Sequence, residues 1–269
     1  MNKEGRGYWI HRTFLYFFIL IFVLKNKIPM LLNENKDPMG TAIQTFFETG
    51  KAQKLKVLST MFDDDEIPVP YLFRTSMEMG QLERLALSLS SGRILDVGAG
   101  AGCHALALQE QGADVTAIDI SPLSVETMRR RGIRQVEWTD FFTADFPTPF
   151  DTILMLMNGI GIVGKVANLP QFFHRLDSLL ASGGCVITDS SDLRYIFEDE
   201  DGNFDAAEFE GYYGEVDYQM RYGKITGDRF DWLYLDEETL RREARNSGYR
   251  VEILQKGEHY DYLAKITKI

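Results

Sequence analysis

The chain has 269 residues, 45% of them hydrophobic, enough for one sizeable α/β core or one core plus a small appendage. Its formal net charge of −11 is uneven, +4 on residues 1–29 and −15 on residues 30–269, and a body that acidic repels phosphate backbones, which excludes nucleic acid as the default partner. Two cysteines, Cys103 and Cys185, and four scattered histidines predict no disulfide framework and no metal site, and a reducing, cytoplasmic setting is expected.

Residues 1–29 stand apart as a hydrophobic extension. Phe14–Leu24 (FLYFFILIFVL) is an unbroken apolar run of eleven residues between His11-Arg12 and Lys25-Asn26-Lys27. A membrane span needs about 20 apolar residues, and widening the run to residues 8–24 brings in His11 and Arg12. No small-x-small cleavage site follows it. Three readings stay open: a weak anchor over residues 8–24 that makes the protein membrane-associated, a buried extra helix, or an upstream extension with Met30 or Met39 as the start.

Residues 40–50 (GTAIQTFFETG) predict a short helix ended by Gly50, and Pro68 and Pro70 break the stretch FDDDEIPVPYLFR. In 76–90 the apolar positions Met79, Leu82, Leu85, Ala86 and Leu89 repeat at helical spacing behind Ser76 as N-cap. Residues 30–91 thus read as an N-terminal helical cap. From 92 onward strands and helices alternate. A strand at Arg93–Val97 leads to a helix over 101–111, and a strand at Asp114–Asp119 to a helix that opens on Ser121-Pro122 and closes at Arg129–Gly132. Strands follow at Arg134–Trp138, Thr152–Met157 and Cys185–Thr188, the last after a helix at Leu169–Leu180 and a Gly183-Gly184 loop. Such alternation builds a parallel sheet with right-handed crossovers, and the purely apolar TILMLM strand predicts cover on both faces. The chain ends on a charged helix at Asp236–Asn246 and two strands, Tyr249–Leu254 and Tyr260–Ile266, whose hairpin makes the last strand antiparallel.

The stretch ILDVGAGAGCHAL (94–106) carries the chemistry. Gly98, Gly100 and Gly102 permit a tight turn and a close backbone approach, and the helix after them offers free N–H groups to an anionic group. A P-loop is excluded because no Gly-Lys-Ser/Thr follows, whereas a dinucleotide fingerprint can be laid over Gly100, Gly102 and Ala105. Asp96 argues against a pyrophosphate, which it would repel, and for a ligand that carries an ammonium near a carboxylate. Asp119, ending the second strand, is placed to accept ribose hydroxyls, a feature that NAD and S-adenosylmethionine (SAM) sites share. Ile120 is placed to lie against an adenine, Asp140 to take its amino group and Phe141 to flank the base. Asp140-Phe141 also read as a turn acid and a core ring, and Asn158 as a strand-end cap.

In order, ILDVGAGAG, VTAIDIS, TDFF, TILMLMNGIG and CVITDSSD resemble the successive motifs of class I SAM-dependent methyltransferases over about residues 92–192, and D-x-G-x-G-x-G at 96–102 is the most specific of them. The resemblance implies an α/β, Rossmann-like fold: a seven-stranded, mostly parallel sheet with an antiparallel last strand and helices on both faces, in a domain spanning 92–269. It implies S-adenosyl-L-methionine as cofactor. Asp96, Gly98, Ala99, Gly100 and Gly102 would line its methionine end, Asp119 its ribose, Ile120, Asp140 and Phe141 its adenine, and Asn158 would face the transferred methyl. The N-P-P-Y of enzymes that methylate amides or base amines is absent. Asn158-Gly159-Ile160-Gly161 stands there, which turns the expectation towards a small-molecule acceptor. Gly159, Gly161 and Gly164 read as a mobile loop.

Residues 194–235 are an insert that a minimal fold does not need. They hold eleven aromatic and eleven acidic residues against four basic ones, and VDYQMRY and DRFDWLYL predict two strands around Gly223–Gly227. The insert reads as a substrate lid or dimer contact suited to an amine, or as a solvated acidic surface over an aromatic mini-core. Tyr71, Arg74, Asp189, Asp192 and Tyr195 are the substrate candidates. Cys103 reads as a small packing residue and His104 as an exposed helix residue. No general base stands out, which suits an amine or stabilised-carbanion acceptor, with orientation and desolvation supplying the rate. The expectation is methyl transfer to a small molecule by a monomer or homodimer. A catalytically silent SAM-binding scaffold and an NAD-dependent oxidoreductase remain as alternatives.

Overall fold

The computed structural model of the protein describes residues 30–199, 203–205 and 209–269. Its N-terminal part runs through α1 (Pro38–Thr49), β1 (Leu55–Leu58), β2 (Asp65–Ile67) and α2 (Gln81–Leu89). Then come β3 (Arg93–Val97), α3 (Cys103–Glu110), β4 (Asp114–Asp119), α4 (Pro122–Arg130), β5 (Gln135–Trp138), β6 (Phe150–Met155), α5 (Leu169–Leu179) and β7 (Leu180–Ser191). The rest is β8 (Glu215–Tyr222), β9 (Ile225–Thr226), β10 (Phe230–Leu233), α6 (Glu237–Asn246), β11 (Tyr249–Lys256) and β12 (Asp261–Lys268).

Seven strands form one sheet in the order β11-β12-β7-β6-β3-β4-β5. β3 to β7 are parallel, and β12 runs antiparallel between β7 and β11, as the closing hairpin predicts. Because side chains alternate along a strand, neighbouring apolar residues serve opposite faces. Leu95, Ile153, Met155 and Val186 join Phe172, Leu176 and Leu240 of α5 and α6. Ile94, Val115, Leu154 and Ile187 join Ala86, Leu108 and Met128 of α2, α3 and α4. Both faces are covered, so these strands read as apolar throughout. β7 begins earlier than the sequence suggests. Leu180 pairs with Phe150 and Cys185 with Thr152 across an irregularity that takes up Gly183-Gly184.

The N-terminal segment is a correction. Residues 30–91 are not purely helical: β1 and β2 form an antiparallel hairpin, and β1 pairs with β8 of the insert, Leu55 against Tyr222 and Lys56 against Arg221. With β10 and β9 on β8, the cap and the insert share a second, antiparallel sheet in the order β10-β8-β1-β2. Ser76 does not cap α2, which starts at Gln81; Thr75 and Glu78 close a separate turn, and the Gly80 N–H donates to Glu83 Oε2 at 2.9 Å. α1 is capped by Asp37, which accepts the Gly40 N–H at 2.7 Å and the Ser121 hydroxyl at the start of α4. Ile43 of α1 packs with Leu72 and Ala101, so this helix lies over the glycine turn.

Among the described residues no helix is long and apolar enough to cross a membrane, and the 8–24 segment lies outside them. Cys103 and Cys185 are free and buried.

Candidate active site

The turn after β3 uses its three glycines differently. Gly98, Gly100 and Gly102 have φ of 66°, 57° and 81°, a region where a Cβ is strained. Among the described residues a Cβ on Gly98 would meet nothing within 4 Å, and one on Gly100 only Ile43 Cδ1 at 3.9 Å. One on Gly102 would meet Ile133 Cδ1 at 2.3 Å, so this glycine lets α3 pack rather than leaving room for a ligand. The Ala99 N–H donates to the Ile118 carbonyl at 3.0 Å and ties the turn to β4. Asp119 shapes the same turn: Oδ2 accepts the Gly100 N–H and Oδ1 the Ser121 N–H, each at 2.8 Å. Burial pushes its carboxyl up to about 6 against those two bonds.

Beneath the turn, Asp96 is 2% exposed and its Oδ2 has no hydrogen-bond partner among the described residues. Burial raises this carboxyl to about 6, and the charge on His104 pulls it back. Arg74 and His104 are corrections. Arg74 is buried and spent: Nε donates to Glu83 Oε1 at 3.0 Å and Nη1 to the Tyr71 carbonyl at 2.7 Å. His104 is buried, not exposed, with Nε2 at 2.7 Å from Glu83 Oε1. Sequence spacing missed both because their partner lies on α2, which no local pattern links to the turn. Tyr71 stays exposed, with the Arg74 guanidinium 4.0 Å above its ring.

On the other side, Ile120 and Asp140 lie at the carboxyl ends of β4 and β5. The Ile120 carbonyl accepts Leu32 N–H at 3.0 Å and Trp138 Nε1–H at 2.8 Å. Asp140 accepts Phe142 N–H on Oδ1 at 2.8 Å and Met30 N–H on Oδ2 at 2.9 Å, so the chain around residue 30 crosses this end of the sheet. Phe141 is the correction here. It is 3% exposed and packs against Phe172 and Phe142, in the core rather than beside a base.

Asn158 does not turn its side chain to the open end of β6. Nδ2 donates to the Leu233 carbonyl at 3.1 Å and Oδ1 accepts the Ser190 hydroxyl at 2.8 Å, while its N–H donates to Asp189 Oδ1 at 2.9 Å. It is a strut between β6, β7 and the insert. Met157 and Asn158 both have positive φ, 61° and 55°, and Met157 is exposed at the strand's end; no motif points to it. The Gly159–Gly164 loop is packed, since a Cβ on Gly161 would meet Trp232 Nε1 at 2.3 Å. Asp189 is half-buried, and burial raises its carboxyl to about 6. Asp192 is a loop cap, accepting the Arg194 N–H at 2.9 Å and the Tyr213 hydroxyl at 2.7 Å. Tyr195 is exposed and stacks on Tyr260 at 4.6 Å. The Tyr218 and Tyr234 hydroxyls are 3.2 Å apart, and burial raises Tyr234, with Tyr218, Tyr195 and Asp189 adding to it.

A family model described as a methyltransferase domain matches residues 94–184. The chain is 54% identical to a SAM-dependent methyltransferase from Bacteroides fragilis, solved in complex with S-adenosyl-L-homocysteine; the likeness covers 89% of this chain and 98% of that one, with a TM-score of 0.84. It is 40% identical over 74 residues to a ubiquinone biosynthesis O-methyltransferase of Xylella fastidiosa (strain M23), 25% of this chain and 30% of that protein. It is 34% identical over 107 residues to a demethylmenaquinone methyltransferase of Tropheryma whipplei (strain Twist), 38% of this chain and 43% of that protein. The chain therefore matches less than half the length of these two relatives.

Proposed function

The chain belongs to the SAM-dependent methyltransferases, and on that footing we propose that it methylates a small molecule, a cationic amine being the acceptor its residues suit. Bound SAM supplies an electrophilic methyl carbon, whose transfer leaves a neutral thioether. Two observations support the cofactor's placement: the orphaned Asp96 oxygen and, two residues on in the same turn, the open space at Gly98. A buried acceptor without a partner costs about 1–3 kcal/mol or more, and the cofactor's ammonium would recover it. The same carboxylate would repel a pyrophosphate, which disfavours NAD. The first N–H groups of α3 suit the cofactor's carboxylate. Asp119 keeps a second acceptor site on each oxygen for the ribose hydroxyls. Ile120 and Asp140 would border the adenine, whose amino group would share Asp140 Oδ2 with Met30.

Asp189 supports the amine. Its Oδ1 accepts the Asn158 N–H at 2.9 Å, and a carboxylate near 6 pairs with an ammonium and then takes the proton that must leave before the nitrogen can attack. Tyr195, Tyr218 and Tyr234 add ring faces that favour a cation. A phenolic acceptor is the second reading, because one relative is named a ubiquinone biosynthesis O-methyltransferase and Asp189 can equally take a phenol's proton. Radiolabelled methyl transfer from SAM to panels of amines and of phenols tests this. Amines should be labelled, with kcat reduced by on the order of 100-fold in Asp189→Asn. Label on phenols alone replaces the amine; label on neither panel favours the silent scaffold.

A further inference from the structure

Residues 30–32, ahead of α1, cross the end of the sheet that would hold the cofactor's base, and their side chains do not explain why. Met30 and Leu31 are 65% and 37% exposed, so apolar burial does little to hold them there. The main chain does it instead. The Met30 N–H donates to Asp140 Oδ2 at 2.9 Å, and the Leu32 N–H to the Ile120 carbonyl at 3.0 Å. Further along, Asp37 accepts the Ser121 hydroxyl and ties the segment to the start of α4. Asp140 is buried and thereby fixed at both oxygens, since Oδ1 accepts the Phe142 N–H at 2.8 Å. A carboxylate oxygen has two acceptor positions, so Oδ2 keeps one beside the Met30 bond. Ile120 is held from two sides as well, because its carbonyl also takes Trp138 Nε1–H at 2.8 Å. The two residues that would border the adenine are thus tied to one strap that belongs to neither β4 nor β5.

We propose that Met30 is a positioning residue for the cofactor: its N–H aims the open acceptor position of Asp140 Oδ2 at the amino group of the base. This rests on the placement of the adenine at Ile120 and Asp140 given above. With the Met30 donor in place the carboxylate plane is set before the cofactor arrives, and the amino group meets an acceptor already oriented. Without it only Oδ1 is anchored, and the ligand must order Oδ2 itself. A purine that lacks the amino group gains nothing from that orientation. The strap therefore acts on the preference for the amino-bearing base, and not on affinity in general.

The test is calorimetric titration of two ligands into the full-length protein: S-adenosyl-L-homocysteine, and its 6-deamino analogue, in which hydrogen replaces the amino group of the base. Proline has no N–H, so Met30→Pro deletes the donor. Wild type should prefer S-adenosyl-L-homocysteine by at least about tenfold, the worth of a hydrogen bond to a charged acceptor. Met30→Pro should bind it about tenfold more weakly and the analogue no more than about twofold more weakly, so that the preference falls about fivefold. Met30→Ala keeps the N–H and should bind both ligands like wild type. An equal loss for both ligands in Met30→Pro would mean that the strap only covers the site, and unchanged or tighter binding of S-adenosyl-L-homocysteine that its N–H is idle or competes; a loss of the same size in Met30→Ala would mean that the side chain acts. Each of these overturns the proposal. Should Met30→Pro fail to fold, hydrogen exchange in wild type decides: S-adenosyl-L-homocysteine should protect the Met30 amide at least about threefold more than the analogue does, and equal protection overturns the proposal. A wild type that binds neither ligand, or both equally, would remove the placement of the adenine at Asp140, and the proposal with it.

Discussion

Replacing Gly98 and Gly102 by alanine, one at a time, separates two jobs of a single turn. Both have positive φ, 66° and 81°, where a Cβ costs roughly 1–2 kcal/mol. At Gly102 the new methyl would also meet Ile133 Cδ1 at 2.3 Å and Met128 Cγ at 3.0 Å. Forcing a carbon into such packing costs a further ~1–3 kcal/mol. Gly102→Ala should therefore lose about 2–5 kcal/mol, a large part of the ~5–15 kcal/mol that holds a typical domain together. At Gly98 nothing among the described residues lies within 4 Å, so only the backbone cost of about 1–2 kcal/mol remains. That methyl enters the space proposed for the cofactor, and a clash of about 3 kcal/mol there is roughly a 100-fold loss of affinity. Urea unfolding measures the first effect and calorimetry with S-adenosyl-L-homocysteine the second. If Gly98→Ala unfolds as easily as Gly102→Ala, or binds the ligand like wild type, the assignment of the open space is wrong.

Two further outcomes follow from the same geometry. Asp96, Asp119 and Asp189 are each raised to about 6, first by burial, so the folded chain binds protons that the unfolded chain releases, and stability falls as pH rises through about 6. The melting temperature of the ligand-free protein should rise from pH 7.5 to 5.5, then fall below about pH 4 as Glu83, held at about 2 by His104 and Arg74 against burial, loses its charge; a steady decline from pH 7.5 to 5.5 would contradict this. Asn158→Ala loses bonds to Leu233 and Ser190 and keeps a positive φ, at a cost of about 2–4 kcal/mol. Asn158→Gly should recover about 1 kcal/mol of that in urea unfolding, because glycine accepts the backbone angle freely; an alanine variant as stable as the glycine one would refute the strain.

What the sequence made legible was whatever is local. β3 and β4 fall on Arg93–Val97 and Asp114–Asp119 as read, because short apolar strands bounded by glycine and aspartate carry their own limits. The order of strands and the closing hairpin follow from alternation. What stayed hidden depends on partners far along the chain. LKVL is too short to announce a strand, and it becomes one because β8 pairs with it. Phe141 follows a strand whose carboxyl end opens on the site, yet spacing does not say which way its ring turns, and Phe172 draws it into the core. Asn158 and His104 were legible as positions but not as roles. The groups that engage them, Leu233 and Ser190 for one and Glu83 and Arg74 for the other, belong to separate elements.

In the proposed placement the cofactor would lie on the glycine turn with its ribose at Asp119. Titrating SAM, S-adenosyl-L-homocysteine and NADH against wild type and Asp119→Ala tests it most directly. Both adenosyl ligands should bind wild type and NADH should not. Asp119→Ala should bind the adenosyl ligands at least about tenfold more weakly, a loss of about 1.4 kcal/mol for the hydrogen bonds removed. Unchanged affinity in Asp119→Ala, or binding of NADH in preference to the adenosyl ligands, would contradict this placement.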